Sequence, residues 1–161
     1  MIDIYKEKQK FRQWWIWVIL IPINLLFILG LYRQLILGED FGNNPMPDFA
    51  LISISAFLFL LSYFFWGTRL KLKIDRYHIQ IDFFPFIRKK IKWGDVQSAK
   101  LIDYGFVGYG MRMGGKHGTV YNIKGRMGLA IELKNGKKLV IGSQKPKELA
   151  VFIDQLDHST R

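Results

Sequence analysis

Cysteine is absent, which removes disulfides, thiolate metal sites and a thiol nucleophile in one step. Histidine is scarce: His78, His117 and His158 lie roughly forty residues apart, without the close pairing that a zinc site uses. No metal and no cofactor is therefore expected. Charge is missing from two long stretches, residues 14–32 and 49–68, where no Asp, Glu, Lys, Arg or His occurs. Acidic residues are in the minority, 13 against 24 Lys and Arg, so the chain is strongly basic.

The uncharged stretches set the class. At about 1.5 Å of rise per helical residue, each is as long as the roughly 30 Å hydrocarbon core of a bilayer is thick. They predict a transmembrane hairpin within residues 1–68, with helices at about residues 14–37 and 49–67. Lys6, Lys8, Lys10 and Arg12 precede the first stretch as they would in a secretory leader. The stretch is too long for a leader's apolar region, however, and no small-x-small cleavage site follows, so it is read as retained.

Basic residues near helix ends resist translocation. Four precede the first helix, Arg33 alone stands in the connection, and Arg69, Lys71, Lys73 and Arg76 follow the second helix. This count predicts a multi-pass protein of the inner (cytoplasmic) membrane with both termini in the cytoplasm. The connection carries Glu39, Asp40 and Asp48 around the turn-forming run Phe41-Gly42-Asn43-Asn44-Pro45-Met46-Pro47 and reads as a short outer loop. Trp14, Trp15 and Trp17 at one helix end, and Tyr63, Phe64, Phe65 and Trp66 at the other, fall at the same interface. Inside the anchor, Asn24 and Pro22 predict an interhelical hydrogen bond and a kink, with Ser55 and Ser62 on one face of the second helix.

From residue 69 onward the pattern changes to alternation. Leu70, Leu72 and Ile74 alternate with Arg69, Lys71, Lys73 and Asp75, and Ile79, Ile81 and Phe83 alternate with His78, Gln80 and Asp82. Further strands are read around residues 88–93, 98–104, 119–123, 129–133 and 139–141, the last two joined by the hairpin signal Asn135-Gly136. Leu149, Val151 or Phe152, Ile153 and Leu156 recur at helical spacing after Pro146, which predicts a closing helix. This region, residues 69–161, holds 19 of the 24 basic residues and 8 of the 13 acidic ones.

Seven antiparallel strands followed by one amphipathic helix is the element order of the pleckstrin-homology-like (PH-like) fold. The chain resembles bacterial PH-like membrane proteins in which such a domain follows a transmembrane hairpin. The resemblance rests on residues 68–156, with Ile91-Lys92-Trp93-Gly94-Asp95-Val96, the run Gly128 to Lys137, and Ile141-Gly142-Ser143-Gln144-Lys145-Pro146. It implies an α+β membrane protein whose seven-stranded antiparallel PH-like sandwich or barrel is capped by a C-terminal helix, and a binding or assembly module without catalytic residues. The tight turn Asp75-Arg76-Tyr77 lacks the spaced basic cluster of phosphoinositide-binding relatives, so specific inositol-phosphate recognition is not implied.

The glycine-rich run from Gly105 to Gly118 contains Gly110 to Lys116 in the frame G-x-x-x-x-G-K. His117 stands where a nucleotide-binding loop needs Ser or Thr for magnesium, and no amphipathic helix follows, so nucleotide hydrolysis is not expected. Two readings of this run stay open. It is either an irregular connection between strands, or an anion- or partner-binding loop built from Tyr109, Met111, Arg112, Met113, Lys116 and His117. Arg88, Lys89, Lys90 and Lys92 form a second basic group that could face lipid headgroups or simply protect a strand edge.

The function expected from the sequence is that of a non-catalytic, membrane-anchored scaffold or accessory subunit, its basic domain held at the anionic inner leaflet. A sensor binding a lipid headgroup or other small anion through residues 109–117 is the alternative. Expected partners are anionic membrane lipids and other membrane proteins or further copies of the chain. Nucleic acid is not expected, because a tethered basic domain meets the membrane first.

Overall fold

The computed structural model describes residues 4–11, 13–105, 109–115 and 117–159. Two compact units result: Arg12–Gly67 is one, and Met1–Phe11 together with Thr68–Arg161 is the other.

The first unit is a helical hairpin. Helix α1, Trp14–Leu31, continues as a π-helical segment, Tyr32–Leu37, and α2 covers Asp48–Gly67. Both helices are long and apolar enough to cross a membrane, and fewer than one in five residues of either span is buried. A core helix of a water-soluble protein would bury most of its apolar side chains; here Leu25, Leu26, Ile36, Phe57 and Leu60 stand exposed. The two helices are held together by a side-chain bond of the kind the sequence predicts. The Asn24 amide donates to the Ser62 hydroxyl at 2.9 Å and to the Leu20 carbonyl at 2.7 Å. Ser55 donates instead to its own helix, to the Leu51 carbonyl. At the loop end, Gln34 donates to Asp48 and to the Met46 carbonyl. Phe41 from the loop packs on Gly30, where a Cβ would come within 2.9 Å of its ring.

The second unit is α+β, with nine strands among the described residues rather than the seven expected, arranged as two sheets and followed by a helix. The four-stranded sheet is a meander, β1 (Ile4–Lys10), β2 (Arg69–Asp75), β3 (His78–Phe84) and β4 (Ile87–Lys92), antiparallel throughout. A 3-10 turn, Trp93–Asp95, leads into the second sheet, which contains β5 (Val96–Asp103), β6 (Gly110–Gly115), β7 (Gly118–Asn122), β8 (Met127–Leu133) and β9 (Lys138–Gly142). Its order is β5-β8-β9-β7-β6, and β7 runs parallel to β9, so the expectation of a purely antiparallel domain is corrected as well. Helix α3, Pro146–Ser159, closes the unit.

Two departures from the expected strands have clear physical causes. The first is β1, which lies in the segment read above as a basic flank of the anchor. Its inward positions are Tyr5, Glu7 and Gln9, all buried, so the apolar alternation that marks a strand in the sequence is missing. The second is the glycine-rich run. Residues 110–115 are not an irregular connection but an edge strand, paired with β7 through Gly110↔Asn122, Met111↔Tyr121 and Arg112↔Val120. Glycines at 110, 114 and 115 hid its periodicity.

The core lies between the sheets. Leu70, Leu72, Ile74, Ile79, Ile81 and Phe83 face Ile123, Leu129, Ile131, Leu139 and Ile141, and α3 contributes Leu149, Phe152 and Ile153. The β8–β9 turn is the one the sequence predicts: Gly136 has φ 79°, a conformation glycine adopts without strain, and Asn135 accepts a hydrogen bond from the Lys137 amide. Strand β1 joins this core through hydrogen bonds. Glu7 Oε2 accepts from the Tyr5 and Ser143 hydroxyls at 2.6 and 2.7 Å, and Oε1 accepts from Gln9 Nε2 and the Gln144 amide at 3.0 and 2.7 Å. Gln9 also donates to the Gly142 carbonyl at 2.6 Å. The strand is therefore clamped to the junction of β9 and α3.

Candidate functional site: a cationic sheet face

Strand alternation sends Leu70, Leu72 and Ile74 inward and leaves Arg69, Lys71 and Lys73 on the outer face of the first sheet. The register then sets β1 beside them. Lys10 pairs with Arg69, Lys8 with Lys71 and Lys6 with Lys73, so each cation on β1 lies directly opposite a cation on β2. Across β3 the rows continue. Lys71 is opposite Asp82, which pairs with Arg88, and Lys73 is opposite Gln80, which pairs with Lys90; His78 pairs with Lys92. Nine Lys and Arg side chains thus share one face of a four-stranded sheet, against Asp75 and Asp82 among the described residues.

The arrangement costs stability. Like charges directly opposite each other on a sheet are each unfavourable by roughly 0.2–1 kcal/mol. The strain registers at the fully exposed Lys8, whose amine is pulled below its ordinary range by Lys10 above all, then by loss of hydration, Lys71 and Arg69. Relief from carboxylates is small. Arg88 meets Asp82 at 3.7 Å with the guanidinium well exposed, and Asp75 is occupied in the β2–β3 turn. There, slight burial pushes the Asp75 carboxyl up, but hydrogen bonds from the Tyr77 and His78 amides outweigh it and hold the group below the usual carboxylate range. Protection of strand edges accounts for lysines on β1 and β4, the two edges of this sheet. It does not account for Arg69, Lys71 and Lys73, which sit on an interior strand.

The expected basic group is divided by this geometry. Arg88, Lys90 and Lys92 belong to the cationic face, whereas Lys89 pairs with Ile81 and has the opposite, inward parity. Among the described residues, the members of the expected loop site have different surroundings. Tyr109 stacks edge-on against Phe11 at 6.0 Å, Met111 packs onto the main core, and Arg112 and Met113 are exposed on β6. His117 is half-buried in the β6–β7 turn, and among the described residues no hydrogen bond or ion pair joins it to Arg112. Lys116 lies outside the described residues.

Sequence reasoning missed the larger half of the face. Lys6, Lys8 and Lys10 were read as a topology signal and Arg69, Lys71 and Lys73 as ordinary strand alternation. The available signal was the spacing Lys6, Lys8, Lys10, which has the same period of two as the strand beyond the anchor. Among the described residues no group of three His, Asp or Glu side chains converges to hold a metal ion. No protein-family model matches this chain, and no curated protein matches it significantly.

Proposed function

We propose that this protein is a non-catalytic, membrane-anchored binding module whose cationic sheet face engages the anionic lipid headgroups of the cytoplasmic leaflet, and that it serves there as a scaffold or accessory subunit. The observation that carries the reading is the row of cations on the interior strand β2, opposed by a second row on β1. Such an array is unfavourable in isolation and becomes favourable against an anionic surface, where each Lys or Arg near the headgroups contributes about 1 kcal/mol. The chain's connectivity supports the same reading. Three residues separate β1 from α1, and Thr68 alone separates α2 from β2. A domain on tethers that short stays close to the surface of the bilayer that its hairpin crosses.

The architecture is read as PH-like in a form the sequence disguises. If β6 and β7 are set aside as an inserted hairpin, the remaining strands are a four-strand meander and a three-strand antiparallel meander, β5-β8-β9, followed by a closing helix. The transmembrane hairpin then lies between the first and second strands, not ahead of the domain. Pairing of β1 with β2 supports an even number of crossings, since both flanks of the hairpin belong to one sheet. With the basic flanks, this supports a multi-pass inner-membrane protein with both termini in the cytoplasm.

The test is purification of the full chain in mild detergent, with mass spectrometry of the lipids and proteins it retains. Wild type should be enriched in phosphatidylglycerol or cardiolipin over phosphatidylcholine, and a variant with Lys6, Lys8, Lys71 and Lys73 all replaced by Gln should lose that enrichment. Equal lipid composition in the two would refute the reading, and a protein retained at fixed stoichiometry would identify what is scaffolded.

A further inference from the structure

The cationic face ends in an aromatic tip. We infer that the β3–β4 turn, Phe84-Pro85-Phe86, is a second membrane contact that dips into the headgroup–acyl boundary. This inference rests on the reading that α1 and α2 cross a bilayer.

Register places the turn. Lys10, Arg69 and Phe84 form one row across β1, β2 and β3, and the Phe11 amide donates to the Thr68 carbonyl one step further along the same ladder. That row is the end of the sheet from which the chain leaves for α1 and to which it returns from α2. Phe84 therefore lies on the strand next to the α2 connection and two strands from the α1 connection, and the turn continues past it in the same direction. The ends of membrane-crossing helices lie at the interface, so the strand ends joined directly to α1 and α2 are the ones the chain keeps nearest to it.

The chemistry of the turn suits that boundary and does not suit water. Phe84 and Phe86 are 45% and 46% exposed, an unusual state for two phenylalanines two residues apart. The Arg69 guanidinium sits 5.3 Å over the Phe84 ring, joining a cation for the headgroups to an aromatic surface for the upper acyl chains. Phe83 holds Phe86 from below, with ring centroids 5.1 Å apart, and the Phe86 amide donates to the Phe83 carbonyl, so the apolar tip is presented by a closed turn. Tyr109, against Phe11, adds a third partly exposed ring next to the same strand end. At the other end of the sheet, about 20 Å away along strands of seven residues, the β2–β3 turn is built on Asp75, and its exposed ring, Tyr77, carries a hydroxyl that suits water. The occupant fitted by an Arg-backed aromatic tip at this end is the lipid interface.

The chain has no native cysteine, so single nitroxide labels can be placed cleanly in the full-length protein reconstituted in phosphatidylglycerol–phosphatidylcholine vesicles. Labels at Phe86→Cys and, as a second position in case Phe86 is needed for folding, Phe84→Cys are compared with Tyr77→Cys in the β2–β3 turn and Leu60→Cys on α2. Collision with oxygen reports lipid, and collision with a water-soluble nickel chelate reports water. The expected result is high oxygen and low nickel accessibility at residue 60, the same sense at residues 84 and 86, and nickel accessibility several-fold higher at residue 77. Nickel accessibility at 84 and 86 equal to that at 77, with residue 60 still in lipid, would overturn the inference and leave the anchor reading intact. Shielding of 84 and 86 from both reagents would overturn it in favour of a protein contact. A water-exposed residue 60 would remove the anchor reading, and the inference with it.

Discussion

Glu7 is the side chain on which the attachment of β1 turns, and its two oxygens make opposite demands on a substitute. Oε1 accepts from Gln9 Nε2 and the Gln144 amide, which are fixed N–H donors, while Oε2 accepts from the Tyr5 and Ser143 hydroxyls, which can reverse and accept instead. Glu7→Gln can therefore keep all four contacts, with its carbonyl toward the two N–H groups and its amide toward the two hydroxyls. It also removes a buried carboxylate that no Lys or Arg faces within ion-pair distance among the described residues. Glu7→Ala cannot. It strands the Gln144 amide and the Tyr5 hydroxyl, each at about 1–3 kcal/mol, with Gln9 retaining its bond to Gly142 and Ser143 free to turn. Part of that loss is offset because a carboxylate is no longer held out of water. The expected net cost of Glu7→Ala is roughly 2–4 kcal/mol, against about 1 kcal/mol or less for Glu7→Gln. At about 2–4 °C per kcal/mol in a chain of this size, Glu7→Ala should lower the midpoint of thermal unfolding by roughly 4–16 °C. The assay is circular dichroism of the full chain in detergent, following the loss of β signal, because the two apolar helices contribute a separate α signal. A Glu7→Gln variant as damaged as Glu7→Ala, or an alanine variant indistinguishable from wild type, would refute this account of how β1 is held.

Three further expectations concern charge, ionisation and topology. Lys71→Gln and Lys73→Gln should each raise the stability of the detergent-solubilised protein by about 0.2–1 kcal/mol at low salt while weakening its retention of anionic lipid, and the gain should shrink as salt screens the wild-type repulsion. Thermal midpoints across a salt series check this. The buried Tyr104 hydroxyl has no hydrogen-bond partner among the described residues, and burial, helped by Asp103, pushes its ionisation up to about 12. The native state keeps that proton while the unfolded chain releases it near 10, so stability falls as pH climbs from about 10 to about 12, by at most about 1.4 kcal/mol per pH unit for one group. Tyr104→Phe should be neutral or stabilising at pH 7 and should make that alkaline decline shallower, though Tyr5 and Tyr121, also shifted upward mainly by burial, will keep part of it. Finally, in intact cells a membrane-impermeant thiol reagent should label Asn43→Cys and spare Ser159→Cys; the reverse pattern would place the sheet on the outer side.

Local pattern was enough to determine several elements of this protein. An unbroken run of uncharged residues specifies an apolar helix without reference to any partner, so both helices of the hairpin were legible, and a lone Asn in the first announced an interhelical hydrogen bond, though only the structure named Ser62 as its partner. Strands β2 and β3, the Asn135-Gly136 turn and α3 were legible because each carries its own periodicity or turn chemistry. Tertiary structure decided the rest. Strand β1 buries Tyr5, Glu7 and Gln9, and what makes that burial tolerable is Ser143 and Gln144, more than 130 residues away, which no window of sequence contains. Strand β6 exists because β7 pairs with it, and β7 in turn runs parallel to β9, a long-range pairing that a glycine-rich run does not announce. The cationic face has the same origin. Lysines 6, 8 and 10 stand 59 to 67 residues before their partners Lys73, Lys71 and Arg69, and only the antiparallel register of β1 with β2, across the helical hairpin between them, turns two separate alternations into one surface.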